Sequence, residues 1–507
     1  MAQPAQPAQV SHRLSLAIFS VTVVAVLGIA LLASLLVRRN VEKQHAGVTR
    51  ADIPESEYRN GFWGRYFPRQ YDSYRKTGTV EFQSKYGGSA DRDMLSEDPR
   101  LVVLWAGYGF SKDYRQGRGH AHAVDDVRKT LRTGAPTGDD DGPMPSACWT
   151  CKGPGVVGAM KREGIDGFYK GKWARFGKEI VEPVGCADCH DPSTMDLTIT
   201  RPALVEGLAH LGRPLEKETH QSMRSLTCAQ CHVEYYFDKK ESGAQHVSFP
   251  WHRGTSCEQM EAYYDTIDFA DWTHPISKAR MLKAQHPDFE LFLTGVHAER
   301  GLSCAECHMP YQTEGGQKFT SHHAQSPLNN VARTCQVCHR EETADLVADV
   351  YQRQDRIAQS RIALEKALVR AHVEAGKAWQ LGATDTQMAP ILLGIRHAQW
   401  RWDFAAASHG ASFHSPVEVS RIVALGLDAV QQARVELARV LAALGHTTEV
   451  EYPSIATKAD AQRFIGLDLE KINAEKKLFL DQVVPKWLLW AREHQLIESE
   501  PVGASKL

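Results

Sequence analysis

The chain has 507 residues, a net charge of −2, 23 His and 11 Cys. That length is ample for a large core and for more than one domain. The near-neutral balance lacks the basic footprint of a nucleic-acid binder, so no nucleic-acid partner is expected. Residues 1–13 open on Ala, Gln and Pro and predict a disordered tail. Residues 14–37 are apolar or small, 24 positions without a charge, enough to cross a bilayer. They read as a transmembrane anchor or an uncleaved signal, because Arg38 and Arg39 follow where a cleaved signal would show a small-residue site. Arg38, Arg39 and Lys43 outweigh Arg13, which by the positive-inside rule favours a cytoplasmic C-terminal side, but long following domains translocate largely regardless. From Ile53 to Asp126 the text is aromatic and basic, without period-2 alternation, so short helices and loops are expected there. His120 and His122 lie in this stretch, and the Gly-, Pro- and Asp-rich run Thr133–Ala147 is a loop leading to Cys148.

Cysteine spacing dominates the next two hundred residues or so. Cys148-Trp-Thr-Cys151 is followed by Lys152, whereas Cys186/Cys189, Cys228/Cys231, Cys304/Cys307 and Cys335/Cys338 are each followed by His, at His190, His232, His308 and His339. These five pairs leave one cysteine, Cys257, which reads as a small buried filler. The pattern is too regular for a disulfide scaffold. Zinc ribbons are the rival, but zinc does not require His directly after the second Cys. C-x-x-C-H is the attachment signature of c-type haem: two thiols bond to the macrocycle and the adjacent His reaches the iron. Residues 38–340 therefore form the haem-bearing region, and its weak periodicity fits a core that the haems themselves fill.

After His339 the character changes. Leu346, Val350, Ile357, Leu364, Leu368, Ala371 and Ala375 recur at helical spacings, so a long amphipathic helix is predicted. Val417–Leu444 reads the same way, with Pro416 near its start and Gly445 at its end. Asp460–His494 is a third helix, which Pro485 should kink or break. The fold class is mainly α, with few or no strands and long C-terminal helices. Residues 341–507 pack on their own core or, as a functional reading, form a dimer interface.

These residues resemble the pentahaem, ammonia-forming cytochrome c nitrite reductases. The resemblance rests on Thr130–Gly134, Cys148–Lys152, Cys228–Phe237, Lys283–Pro287 and Trp402–Phe404 before His414, and it covers nearly everything after the apolar segment. It implies five covalently bound haem c groups and one calcium ion. The distal axial ligands it implies are His120, His297, His322 and His414, with His323 adjacent to His322 as a competing choice. It also implies a homodimer, and an electron donor that is either a membrane cytochrome oxidising quinol or a soluble multihaem carrier. The expected location is the periplasmic side, held by the N-terminal helix, or soluble there after signal cleavage.

Lys binds iron only as the neutral amine, so the metal must displace a proton. With Lys152 on one side, the opposite axial position can stay open for substrate, unless a distant His closes it. The distal pocket implied by the resemblance is Arg132, Tyr235 and His286. A guanidinium attracts nitrite and stabilises oxygen as the N–O bond weakens. His supplies protons near neutral pH, and Tyr donates a hydrogen bond. The implied calcium ligands are the Glu234 carboxylate, the Gln285 side-chain carbonyl and the backbone carbonyls of Tyr235 and Lys283, a mixed oxygen set that suits the ion. Without the resemblance Glu234 reads as a surface acid. Hydroxylamine, nitric oxide and sulfite are further candidate substrates, and a non-catalytic electron conduit is the alternative function.

Overall fold

A computed structural model describes residues 12–46 and 53–497. The expected disordered tail lies, up to residue 11, outside the described residues, as do the side chains of Arg38, Arg39 and Lys43. Helix α1 spans His12–Ala46 and contains the whole apolar segment. Its stretch His12–Val37 is long and apolar enough to cross a membrane, and its side chains are exposed. An apolar surface all round a helix fits a membrane span and a signal segment alike. By contacts, among the described residues, 12–46 with 312–319 form one compact unit, and 53–311 with 320–497 form another.

The larger unit is helical, with short strands only. Around the cysteine pairs the helices are single turns, such as Cys186–Cys189 and Cys304–His308. One helical turn is what C-x-x-C-H needs: positions i, i+3 and i+4 share a face, so both thiols and the His ring point the same way. A capping box between Ser303 and Glu306 starts the second of these turns at its first Cys. The third pair sits instead at the end of α2 (His220–Ala229). Directly after its His, β1 (Tyr236–Lys239) pairs antiparallel with β2 (Gln245–Ser248), Tyr236 opposite Ser248. That ribbon holds Glu234 and Tyr235 at its mouth. A smaller ribbon, β3 (Trp272–Thr273) with β4 (Arg280–Met281), precedes Lys283. The third ribbon, β5 (Tyr311–Glu314) with β6 (Gln317–Thr320), belongs for the most part to the smaller unit.

Three long helices complete the body: α3 (Thr343–Gln380), α4 (Asp385–Ala407) and α5 (Pro416–Ala443). Helices α3 and α5 match the periodicity, and Gly445 ends α5 with a φ of +85°. Helix α4 carries no such pattern because it is buried on several faces, with Met388, Ile391, Ile395, Trp400, Trp402 and Phe404 all inside. The three helices meet closely at Gly426, where a Cβ would lie 2.9 Å from Leu364 and 3.2 Å from Arg401. The expected single C-terminal helix is divided. Lys458–Phe464 ends at Gly466, whose φ is +77°. Helix α6 (Leu469–Leu478) runs through a π turn, Phe479–Val483, into α7 (Val484–Glu493). Pro485 falls in the first turn of α7, where its missing N–H costs least, and the wide turn before it absorbs the lost bond.

Candidate active site

The Cys148–Lys152 loop leaves a short 3₁₀ turn, Ser146–Trp149. Trp149 is fully buried and donates from Nε1 to the Trp173 carbonyl at 2.6 Å. From behind, the buried Arg201 guanidinium donates to the carbonyls of Thr150 (2.5 Å) and Gly153 (3.0 Å), which flank Cys151 and Lys152. Arg201 also forms a buried ion pair with Asp188, between the two cysteines of the second motif. Burial pushes the Asp188 carboxyl up, against the pull of Arg201. The first and second attachment loops therefore share one clamp.

All eleven cysteines are free thiols, so none of the five pairs is a disulfide. Cys257 is buried, as a small filler should be. A hydrogen bond from the Cys231 thiol brings Cys151 down to about 7. A second such contact joins Cys228 and Cys304. The first, third and fourth loops are thus neighbours, although about 75 residues separate each from the next in sequence.

The attachment cysteines differ in exposure. Nine motif cysteines are partly buried, but Cys338 is exposed. Its loop is the last of the five and lies at the surface just ahead of α3, with Val337, His339 and Arg340 exposed beside it. Only Val331 and Thr334, at the start of that loop, are buried.

Each motif histidine faces a second histidine. Ring centres are 6.1 Å apart for His190 and His322, 6.5 Å for His232 and His120, 6.1 Å for His308 and His414, and 6.4 Å for His339 and His297. An imidazole–metal bond of about 2 Å on each side, with roughly 1 Å from nitrogen to ring centre, places two axial rings about 6 Å apart. All four spacings fit one iron between each pair. Backbone carbonyls also fix the rings: Met195 bonds Nδ1 of His190 at 2.8 Å, Gln325 that of His308 at 2.8 Å, and Thr320 that of His322 at 2.9 Å. This leaves Nε2 of each of these rings free to bind a metal. His323 is half-buried and takes no part in the His190 pair, while His122 bonds the Gly78 carbonyl at 3.0 Å.

Arg132, Tyr235 and His286 share the neighbourhood of Lys152. His286 lies well below its ordinary range through burial and then through the Lys152 charge, and its buried Nδ1 has no partner. Tyr235 stands 6.1 Å from His286, ring centre to ring centre, and burial and the nearby Cys151 and Cys148 sulfurs raise its phenol. Arg132 is carried on the short turn Leu131–Thr133. Its guanidinium lies over the Phe110 ring at 4.1 Å, and Nε donates to Thr130 Oγ1 at 3.2 Å. Among the described residues it makes no ion pair with a carboxylate, so its charge stays available. Asp288 accepts from Ser408 at 2.5 Å, approaches His232 Nδ1 at 3.4 Å, and donates its backbone N–H to the His286 carbonyl at 2.6 Å. Burial opposes protonation of His232, but Asp288 outweighs it and raises the ring.

Beside Tyr235, Glu234 is fully buried rather than on the surface. Its carboxylate accepts from the Gln285 backbone N–H at 2.6 Å and the Tyr264 hydroxyl at 3.3 Å, and burial raises its pKa well above the ordinary range. The Gln285 side-chain N–H donates to the Lys283 carbonyl at 3.3 Å, so Glu234, Gln285 and Lys283, three of the four residues expected to hold calcium, are neighbours. Among the described residues no three His, Cys, Asp or Glu side chains form a metal cage. A donor set relying on carbonyls has that character. Sequence reasoning missed the acids around it. Asp271 receives the Lys283 backbone N–H at 2.8 Å, Asp403 pairs with the Lys283 ammonium at 2.8 Å, and Glu290 receives the Glu234 backbone N–H at 3.0 Å. Asp403 lies in the Trp402–Phe404 triplet; nothing local marks the other two.

A helical fold with haem-attachment turns and paired histidines defines a multihaem protein of the cytochrome c class. Residues 60–495 match the cytochrome c552 family model, and the chain belongs to that family. Cytochrome c-552 of Bacteroides fragilis is 52% identical over 473 residues, covering 93% of this chain and 95% of that protein. Its counterpart in Porphyromonas gingivalis is 48% identical over 482 residues, covering 95% and 96%. Among solved structures, the catalytic subunit of the cytochrome c nitrite reductase of Desulfovibrio desulfuricans, described with two calcium sites, superposes with a TM-score of 0.73 at 29% identity. That match covers 89% of this chain and 98% of the other.

Proposed function

We propose that this protein reduces nitrite to ammonium at a haem c held by Cys148, Cys151 and Lys152. The observation that carries the reading is the set of four histidine pairs, which accounts for every C-x-x-C-H motif and sets the Lys152 motif apart from them. Its five haem c groups would supply the redox chemistry: nitrite takes up six electrons and eight protons and gives ammonium and two waters. The remaining pairs of ligands are His190 with His322, His232 with His120, His308 with His414 and His339 with His297.

Arg132 binds the nitrite oxygens, its charge supported on the Phe110 face and not cancelled by a carboxylate. His286, neutral through burial, donates and accepts protons at Nδ1 or Nε2 as substrate oxygens leave. Tyr235, protonated throughout, offers its hydroxyl as a hydrogen-bond donor. Glu234, Gln285 and the carbonyls of Tyr235 and Lys283 hold one calcium ion, which fixes the backbone on either side of the pocket. Hydroxylamine, nitric oxide and sulfite are secondary substrates of the same small cationic pocket.

The chain works on the periplasmic side, anchored by α1, and receives electrons from a quinol-oxidising membrane cytochrome or a soluble multihaem carrier. Exposed Val417, Leu425 and Val435 on α5 support a homodimer through residues 341–507. Reduced viologen consumed and ammonium formed per nitrite, measured with iron counted, test the reading. Six electrons per ammonium and five irons per chain are expected. Low-spin spectra for every haem, unchanged by nitrite or cyanide, would establish the electron conduit instead.

A further inference from the structure

The turn that carries Arg132 is held from behind by a residue nearly 350 positions away. Lys476, on α6, is 4% exposed. Its ammonium donates to Thr133 Oγ1 at 3.0 Å and to the Gly134 carbonyl at 2.7 Å, the two residues directly after Arg132. Phe479 covers it, with the ring centre 4.8 Å from Nζ. It makes no ion pair with a carboxylate among the described residues. Three other features pin the same turn: Asp113 accepts the Leu131 N–H at 3.2 Å, Trp173 Nε1 donates to the Thr133 carbonyl at 2.9 Å, and Gly134 has a φ of +70°. Trp173 in turn packs on Trp149 of the Lys152 loop, with ring centres 5.4 Å apart. Burying a lysine is unfavourable unless its donors are used, and here two of them are spent on the Arg132 turn.

We propose that Lys476 is a positioning residue for Arg132, so that helix α6 of the C-terminal region sets how the distal pocket holds its anion. The proposal rests on the reading of Arg132 as the nitrite-binding side chain. Without Lys476 the Thr133 hydroxyl and Gly134 carbonyl lose their shared donor, the turn loosens, and the guanidinium no longer rests squarely on Phe110. The loss falls on anion binding rather than on electron delivery, because the contacts of this turn run to Asp113, Trp173 and Lys476 and not to a histidine pair.

The test uses the holoenzyme and three variants, Lys476→Met, Lys476→Arg and Arg132→Ala. Steady-state kinetics with reduced methyl viologen give KM and kcat for nitrite, and optical titration of the oxidised enzyme gives the nitrite Kd. Lys476→Met should raise KM and Kd about tenfold while kcat stays within about twofold. Lys476→Arg, which keeps the donors, should recover most of that loss. Unchanged KM and Kd in Lys476→Met overturn the proposal. So does an equal fall in kcat and kcat/KM accompanied by loss of bound haem, which marks a general structural role. An Arg132→Ala variant with unchanged nitrite Kd refutes the underlying assignment of Arg132, separately from any result on Lys476.

Discussion

Replacing Arg201 tests whether one buried guanidinium holds the Lys152 loop. Its side chain is 1% exposed, and its ion-pair partner Asp188 is 4% exposed. Arg201→Met leaves Asp188 charged and unpaired in the interior, which costs about 3–5 kcal/mol. The carbonyls of Thr150 and Gly153 lose their donors, adding about 1 kcal/mol each. The second variant is Arg201→Met with Asp188→Asn. It removes the stranded charge while the amide oxygen can still accept the Gly185 N–H now bound at 2.9 Å. Its cost should fall to the carbonyl contribution alone, about 2 kcal/mol. Guanidinium denaturation of the holoprotein, followed at the Soret band with the m-value checked for constancy, reads both. A single variant costing less than about 1 kcal/mol, or a double variant no better than the single, refutes the clamp.

The same geometry yields three further outcomes. In Gly410→Ala the new Cβ would lie 2.4 Å from the His414 ring, so His414 must swing away from His308, and one low-spin haem should become high-spin in the electron paramagnetic spectrum. His322→Ala should convert one haem in the same way, whereas His323→Ala should leave the low-spin count intact, since only His322 stands 6.1 Å from His190. The third concerns pH. Burial pulls the Lys476 ammonium down to about 7, against an ordinary lysine value of about 10.4. Between those values the unfolded chain binds the extra proton, so stability rises with pH, by at most about 4–5 kcal/mol across the window. Below about 7 both states are protonated and the slope vanishes. Denaturation midpoints from about pH 6 to 10 should rise more steeply in the native enzyme than in Lys476→Met; parallel curves count against the depressed value.

What the sequence discloses depends on how local the cause is. The five cysteine pairs are legible because attachment chemistry is confined to one helical turn, and α3 and α5 are legible because each has one wet face. The exposure of Cys338 is not legible, since its motif is identical in spacing to those of its partly buried counterparts and only the fold puts it at an edge. Helix α4 is hidden for the opposite reason: burial on several sides erases the 3.6-residue period that marks a surface helix. The break before α7 is half legible: Pro485 announces it, but the π turn that absorbs it has no composition signal. Glu234 read alone looks like a surface acid, and its burial comes from the ribbon β1–β2 and from Tyr264, neither of which the local text shows. Choosing His322 over His323 needs the position of His190 in space. Arg201 and Lys476 carry no motif at all; each is defined by the backbone it reaches across the fold.

The cations around this pocket divide by whether a carboxylate answers them. Arg201 is paired with Asp188, and Lys283 with Asp403, so their charges cancel locally and what remains is hydrogen bonding to backbone. These two hold loops in place. Arg132 and Lys476 make no such pair among the described residues: one leans on Phe110, the other on a hydroxyl, a carbonyl and the face of Phe479. Uncompensated positive charge in a low-dielectric wall is costly to fold, and it acts at longer range than a screened pair would. An overall charge of −2 therefore says little about the field at this site. A pocket with the proposed anion-binding role would gain from having its neutralised cations hold the loops and its uncancelled ones at or directly behind Arg132. An apolar aromatic, Phe110, suits the role proposed for Arg132: an acid in that place would hold the guanidinium as firmly and cancel its charge.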